Sequence, residues 1–182
     1  MLPIIQNAPP DLGAALAAIQ ALTPAANKAP VFSSSSAAAL QDFVGAAASW
    51  TPTLTFSTPG DLSVSYTTQL GRYWRFGNMV VALFSVETSS FTYTTASGNL
   101  LLGATLPYTS ENTSGLLNVG TLSFQGITKA GYTQFYPRLF SNSSTIAFFA
   151  SSSGSAVSQV TSTDVPSAGT VVLRGVVVYV GQ

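Results

Sequence analysis

Few side chains in this 182-residue chain could carry out acid–base chemistry. The chain contains neither histidine nor cysteine, which removes the commonest general base and the commonest ligands of transition metals. An active site would have to be built from six carboxylates, which are Asp11, Asp42, Asp61, Glu87, Glu111 and Asp164. Glycoside hydrolysis, for example, needs two carboxylates that face each other at a set separation. Sequence spacing neither proves nor excludes such a pair.

The local sequence favours structural roles for several of these carboxylates. Asp11 precedes an alanine-rich segment and is a plausible helix cap, whereas Asp61 and Asp164 lie in turn-like contexts where a carboxylate accepts backbone hydrogen bonds. The chain has no phosphate-binding loop, no nucleophile elbow and no HExxH motif. No loop has the ligand spacing of a calcium site. We therefore predict a protein that is not an enzyme and needs no cofactor or metal.

The charge content is unusually low. Charged residues make up 7% of the chain and sum to a formal net charge of zero, whereas soluble domains carry roughly 25%. Such a surface self-associates readily unless an assembly covers it. Arg72 and Arg75 are the only basic residues close together, so nucleic-acid binding is not expected. These two arginines could bind anionic sugars, but pairing with Glu87 or Glu111, within or between subunits, is the simpler interpretation.

Neither end of the sequence predicts a membrane segment. The first residues lack a basic segment followed by a long apolar core, so they do not form a secretory signal. No apolar run approaches the roughly 18 residues of a spanning helix, and the run from Val171 to Val180 contains Arg174. We expect synthesis in the cytoplasm and no insertion into a membrane.

Residues 1–48 differ from the remainder and predict an arm with short helices. After Pro10-Asp11, an alanine-rich segment carries a narrow apolar stripe. The stripe consists of Leu12, Leu16, Ile19 and Leu22. A second alanine-rich segment offers Leu40, Phe43 and Val44 as its apolar side. Helices this short need a packing partner, so these side chains are predicted to dock the arm onto another surface.

Residues 49–182 have the pattern of an all-β domain. Short strand-like segments alternate with turn residues such as Thr58-Pro59-Gly60-Asp61 and Ser97-Gly98-Asn99. Many short strands at this spacing predict an antiparallel β-sandwich, which we expect to be jelly-roll-like. Gly71 and Gly77-Asn78 are predicted to form two corners, the second a tight hairpin turn.

Two of the predicted strands are apolar on both faces, those after Asn78 and at the carboxyl end. A half-exposed strand alternates apolar and polar residues, so a strand with two apolar faces must be covered twice. We predict that the second cover comes from other copies of the chain in a homotrimer. The predicted trimer interface comprises Val80, Ala82, Phe84, Val176 and Val178.

Several of these segments resemble proteins of phage virions. The segments are WTPTLTF at 50–56, GDLSVSYTTQLGRYWRFGNMVV at 60–81, LLLGATLPYTS at 100–110 and VVVYV at 176–180. In this order they resemble the β-sandwich head domain of phage tail fibres and tailspikes, and trimeric capsid decoration proteins are similar. The resemblance implies a trimeric sandwich on the virion exterior whose amino-terminal part docks to the particle.

The resemblance leaves two functions open. Fibres usually have a long shaft before the head, and this chain has only a short arm, which favours a capsid decoration (cement) protein. In that interpretation the arm lies across major capsid subunits and stabilises the shell. The alternative is a tail fibre or tailspike head that binds host surface glycans. The predicted glycan-facing loops are 109–114 and 141–144, with Tyr108, Asn112 and Asn142. Aromatic residues such as Tyr136 could also stack on carbohydrate, although core packing explains many such rings.

Overall fold

The computed structural model describes residues 10–23, 28–34, 37–42, 47–103, 106–115 and 117–182. The chain divides into two compact units, Met1–Ala46 and Ala47–Gln182. The boundary predicted from the sequence, between residues 48 and 49, lies two residues from this division.

The amino-terminal unit contains one helix and one β-hairpin. Helix α1 spans Pro10–Gln20, and the antiparallel strands are β1 (Lys28–Ser34) and β2 (Ala37–Asp42). Of the predicted docking residues in α1, Leu16 and Ile19 are exposed. Leu12 also lies in this helix, and Leu22, just after it, is half-buried.

The prediction of a second helix was wrong, because Ala37–Asp42 is a strand. A short alanine-rich segment gains little from helix formation on its own, since helix nucleation is costly. Pairing with β1 satisfies its backbone instead, in a register that sets Pro30 opposite Leu40. Leu40 is half-buried in this hairpin, and Phe43 and Val44 lie outside the described residues.

The second unit is built from short strands, as predicted. In chain order they are β3 (Ala48–Trp50), β4 (Thr53–Thr58), β5 (Ser63–Phe76), β6 (Met79–Thr92), β7 (Ser97–Gly103), β8 (Asn118–Val119), β9 (Thr121–Gln125), β10 (Gln134–Leu139), β11 (Ile146–Ser152), β12 (Ser155–Gln159) and β13 (Val172–Val180). A 3-10 turn, Ser162–Asp164, precedes the last strand. One sheet has the order β3-β5-β6-β13-β9, and the other has the order β4-β7-β11-β10-β8 with β12 also paired to β11. All pairs are antiparallel, which confirms the all-β sandwich.

Side-chain alternation places the core between the two sheets. Residues of β6 and β13 contribute one wall, and residues of β4, β7, β10 and β11 contribute the other. Phe84 and Phe148 meet across this space with their ring centroids 6.2 Å apart. The strand β6 alternates regularly, because its even-numbered residues from Val80 to Val86 are fully or almost fully buried.

This core corrects part of the predicted trimer interface. Val80, Ala82 and Phe84 are buried by the chain's own second sheet, so they are not available to another subunit. The other two predicted interface residues, Val176 and Val178, point to the opposite face of the same sheet. Val176 lies opposite Leu83, and Val178 is exposed. The sequence showed two apolar faces but not which of them the second sheet covers.

The two predicted glycine corners had different outcomes. Gly77, with a φ of 59°, begins the tight turn that joins β5 to β6, as predicted. Gly71 is not a corner, since β5 continues through it without interruption. A Cβ atom at Gly71 would lie 2.6 Å from Trp50 Nε1, so this glycine makes room for an indole packed on the strand.

Candidate interaction surfaces

Asp61 links two connections between strands at one end of the sandwich by hydrogen bonds. Its carboxylate accepts hydrogen bonds from the backbone N–H groups of Thr94, Thr95 and Ala96 and from the hydroxyls of Thr94 and Thr95. The hydroxyl bond from Thr94, followed by the backbone bonds from Thr94 and Thr95, holds the pKa of Asp61 well below its usual range. The turn role predicted for this residue is confirmed.

Asp164 has the same kind of role. It accepts a bond from the backbone N–H of Thr161 at 2.8 Å and forms an ion pair with Lys129 at 2.8 Å. Burial acts to raise the pKa of Asp164, but the bonds from Lys129 and Thr161 outweigh it and leave the pKa below its usual value. Both Asp61 and Asp164 therefore have partners that hold turns together.

The arginines predicted to pair with acids have other partners. Arg72 donates to Ser49 Oγ at 3.1 Å, and Arg75 donates to the Gly77 carbonyl at 2.7 Å. Glu87 pairs instead with Arg174, at 3.0 Å across neighbouring strands. Within one chain Glu87 therefore has a different partner from the one predicted, whereas pairing of these arginines with Glu111 or between subunits stays a prediction.

The outer face of the five-stranded sheet carries a continuous apolar patch, which we call the outer patch. Strand register places its side chains in three adjacent rows across β5, β6 and β13. The rows are Phe76, Met79 and Val180; Trp74, Val81 and Val178; and Arg72, Leu83 and Val176. All of these side chains except Arg72 are apolar, and each is exposed or half-buried. Contiguous exposed apolar surface of this kind marks an interaction site.

Polar groups bound the outer patch on two sides. The same face of β9 presents Thr121, Ser123 and Gln125, which are all exposed. The ion pair between Arg174 and Glu87 lies beyond the third row. An apolar centre with a polar rim is the usual anatomy of a protein–protein interface. The sequence contained a signal for this patch, since Met79, Val81 and Leu83 form the second apolar face of β6.

The structure brings together the two predicted glycan-facing loops, 109–114 and 141–144. The backbone N–H of Ser110 donates to the Ser143 carbonyl at 3.0 Å, and that of Asn142 donates to the Glu111 carbonyl at 3.1 Å. The Ser110 hydroxyl donates to the Phe140 carbonyl at 2.6 Å and accepts from the Ser143 N–H at 3.0 Å. The loops thus form one end of the sandwich.

The three residues predicted to face glycans differ in accessibility at this end. Asn112 and Asn142 are exposed, and Asn142 adopts a left-handed backbone with a φ of 52°. Tyr108 is half-buried, and its ring lies 4.4 Å from the Arg75 guanidinium and edge-on to Tyr73. Because other side chains already contact its ring, Tyr108 is less suited than the two asparagines to contact a ligand.

Comparisons with known proteins bear on the fold. No protein-family model matches the chain, and no curated protein matches it. Among solved structures, the crystal structure of the Dettilon tailspike protein matches with a TM-score of 0.50 and 22% sequence identity. The chain has the fold of part of a phage tailspike. The match covers 72% of this chain and 23% of the tailspike, so the chain spans about a quarter of that protein's length.

One further finding concerns membranes. No helix within the described ranges has both the length and the apolar character needed to cross a bilayer.

Proposed function

We propose that this chain is a structural protein of a tailed-phage virion and that it belongs to the tail, as the head domain of a fibre or spike. The observation that carries this proposal is the fold shared with a segment of a tailspike. The proposed role is binding rather than catalysis, and it is supported by the structural partners of three carboxylates, Asp61, Glu87 and Asp164.

The outer patch supports a homotrimer. In a single subunit, the patch residues Met79, Leu83 and Val178 would be exposed to water. The chain has few charged residues, which provide little solubility to offset this exposure. Other copies of the chain are the proposed cover, and the number three comes from the resemblance to trimeric phage heads. The exposed Leu16 and Ile19 of α1 are the proposed docking side chains, and their partner is another virion protein.

Locating the protein on intact particles tests the proposal. Antibodies raised against the purified chain should label the tail, and quantitative mass spectrometry should give a copy number far below that of the major capsid protein. A capsid decoration protein would instead label the shell in hundreds of copies. Either labelling of the shell or absence from purified particles would refute a tail protein.

A further inference from the structure

The sandwich is not closed along one margin. There β9 is the last strand of its sheet, with β13 on one side and no strand on the other among the described residues. The strand β10 of the other sheet faces β9. One side of β10 pairs with β11 along its length, whereas its other side pairs with β8 only at Arg138 and Leu139. In the part of the chain that the structure describes, no strand pairs with Gln134–Tyr136 on that side. Among the described residues, two strand edges without a strand partner thus face a common space.

A groove of about 410 Å³ occupies this space. Such a volume lies within the range of ligand sites, roughly 300–1,000 Å³. Its lining includes three aromatic side chains and several uncharged polar ones. Those that matter here are Phe124, Thr133, Gln134, Phe135 and Tyr136.

The aromatic rings of the groove are held in place by neighbouring rings. Phe124 and Phe135 lie with their centroids 4.6 Å apart, and Tyr136 stacks on Phe149 at 6.1 Å. Phe124 is nevertheless 37% exposed and lines the groove, so part of this residue is accessible there. A rigid, accessible ring is a platform for the apolar face of a pyranose, because little conformational freedom is lost on binding.

The polar groups of the groove carry no charge. Thr133 and Gln134 offer hydroxyl and amide groups, and the Ser151 hydroxyl donates to Gln134 Oε1 at 3.3 Å and orients that amide. No lysine or arginine lines the groove to balance an acidic sugar. A wholly apolar ligand would leave these polar groups and the open strand edges without partners.

From this lining we infer that the groove between β9 and β10 binds a neutral saccharide. The inference rests on the proposed function, since it names the class of ligand that a tail head domain would contact. The residues with the main roles are Phe124 as the stacking platform and Gln134 as the hydrogen-bonding group.

A glycan array with a matched pair of variants tests this inference. The probes are oligosaccharides of neutral hexoses and N-acetylhexosamines, with sialylated and uronic-acid oligosaccharides for comparison. Phe124→Ala removes the platform. Phe140→Ala removes a ring of nearly equal exposure, 38%, that does not line the groove, and Phe140 also contacts one neighbouring ring, that of Phe149. Isothermal titration with the neutral glycan bound on the array then gives the dissociation constants.

We expect binding to at least one neutral glycan. Phe124→Ala should weaken it by about tenfold or more, as truncation of an anchoring aromatic does, and Phe140→Ala should leave it within about twofold. Gln134→Ala, which keeps the rings, should weaken it by a smaller factor. Binding of no neutral glycan, binding of acidic glycans alone, or equal effects of Phe124→Ala and Phe140→Ala would overturn the inference. None of these results changes where antibodies label the particle, so failure here is distinct from failure of the tail assignment.

Discussion

Replacing Val178 with aspartate should separate the proposed homotrimer into folded single subunits. Val178 lies on β13 in the central row of the outer patch, opposite Val81 of β6, and is 44% exposed in the isolated chain. An aspartate at this position is solvated in a free subunit, so the fold itself should tolerate it. In an assembly that covers the patch, the same carboxylate would lose water without gaining a partner.

The size of the effect follows from exposure and charge. Burying a whole aliphatic side chain contributes about 1.5–3 kcal/mol, so covering the exposed 44% of Val178 contributes about 1 kcal/mol. Met79 and Leu83, at 44% and 39% exposed, contribute similar amounts and remain in the variant. An uncompensated buried charge costs about 3–5 kcal/mol. The combined loss of at least about 4 kcal/mol for each subunit contact corresponds to about a thousandfold weaker association.

Sedimentation velocity measures this change directly. We expect the natural chain at micromolar concentration to sediment at about three times its 18.8 kDa subunit mass, and Val178→Asp to sediment as single subunits. Val157→Asp is the matched control, since Val157 is 52% exposed but lies on β12 of the other sheet. Circular dichroism should show the same β-sheet content in all three proteins. A natural chain that sediments as a single subunit, or a control that dissociates equally, would refute the reasoning.

Two further predictions concern stability. Hydrogen bonds depress the pKa of Asp61 below its usual value near 3.9, so its stabilisation is present above that pH and is lost as the pH falls through the folded-state pKa. Asp61→Asn should therefore lower the melting temperature at neutral pH. It should also make the melting temperature fall less steeply as the pH is lowered, so plots of melting temperature against pH that run parallel for the two proteins would contradict this prediction. Gly71→Ala should lower the free energy of unfolding by about 1–3 kcal/mol, because its Cβ would crowd Trp50. Gly13→Ala is the control in urea denaturation, because its added Cβ would meet no atom within 4 Å apart from its chain neighbours and the backbone of its own helix; an unchanged midpoint for Gly71→Ala would contradict the prediction.

The sandwich fold could be predicted because the sequence patterns that mark its turns are local. A Gly-Asn pair between two apolar runs fixes a hairpin turn, and Gly77 has the positive φ that such turns require. Asp61 and Asp164 were assigned to turns from their neighbours alone. Gly71 shows the limit of this reasoning. Its role depends on Trp50, which reaches it only through the pairing of β3 with β5, and no local pattern distinguishes a glycine at a turn from one under an indole.

Long-range pairing also explains two of the other corrections, the second helix and the trimer interface. The strand β2 is rich in alanine, whose intrinsic preference is helical, but pairing with β1 overrides that preference. In β6 and β13 both faces are apolar, so hydrophobicity alone could not assign either face to the core. Strand register settles this, since Val178 lies opposite Val81 while Val80 lies opposite Tyr179. Val80 and Val178 therefore occupy opposite faces of one sheet and could not share a single interface.

The placement of the outer patch allows self-association and ligand binding to occur together. Its apolar rows end at β13, and the next strand, β9, turns exposed polar side chains to the same face. A neighbouring subunit can therefore cover the apolar rows without covering β9. Extending the interface over β9 would gain little binding free energy, because the buried polar groups of that strand would need new hydrogen-bond partners. The side chain of Phe124 projects from the other face of β9, toward the margin between the sheets. In a homotrimer each of the three grooves would thus remain open, and a saccharide with repeated units could occupy several at once, which raises the overall affinity without any change at a single site.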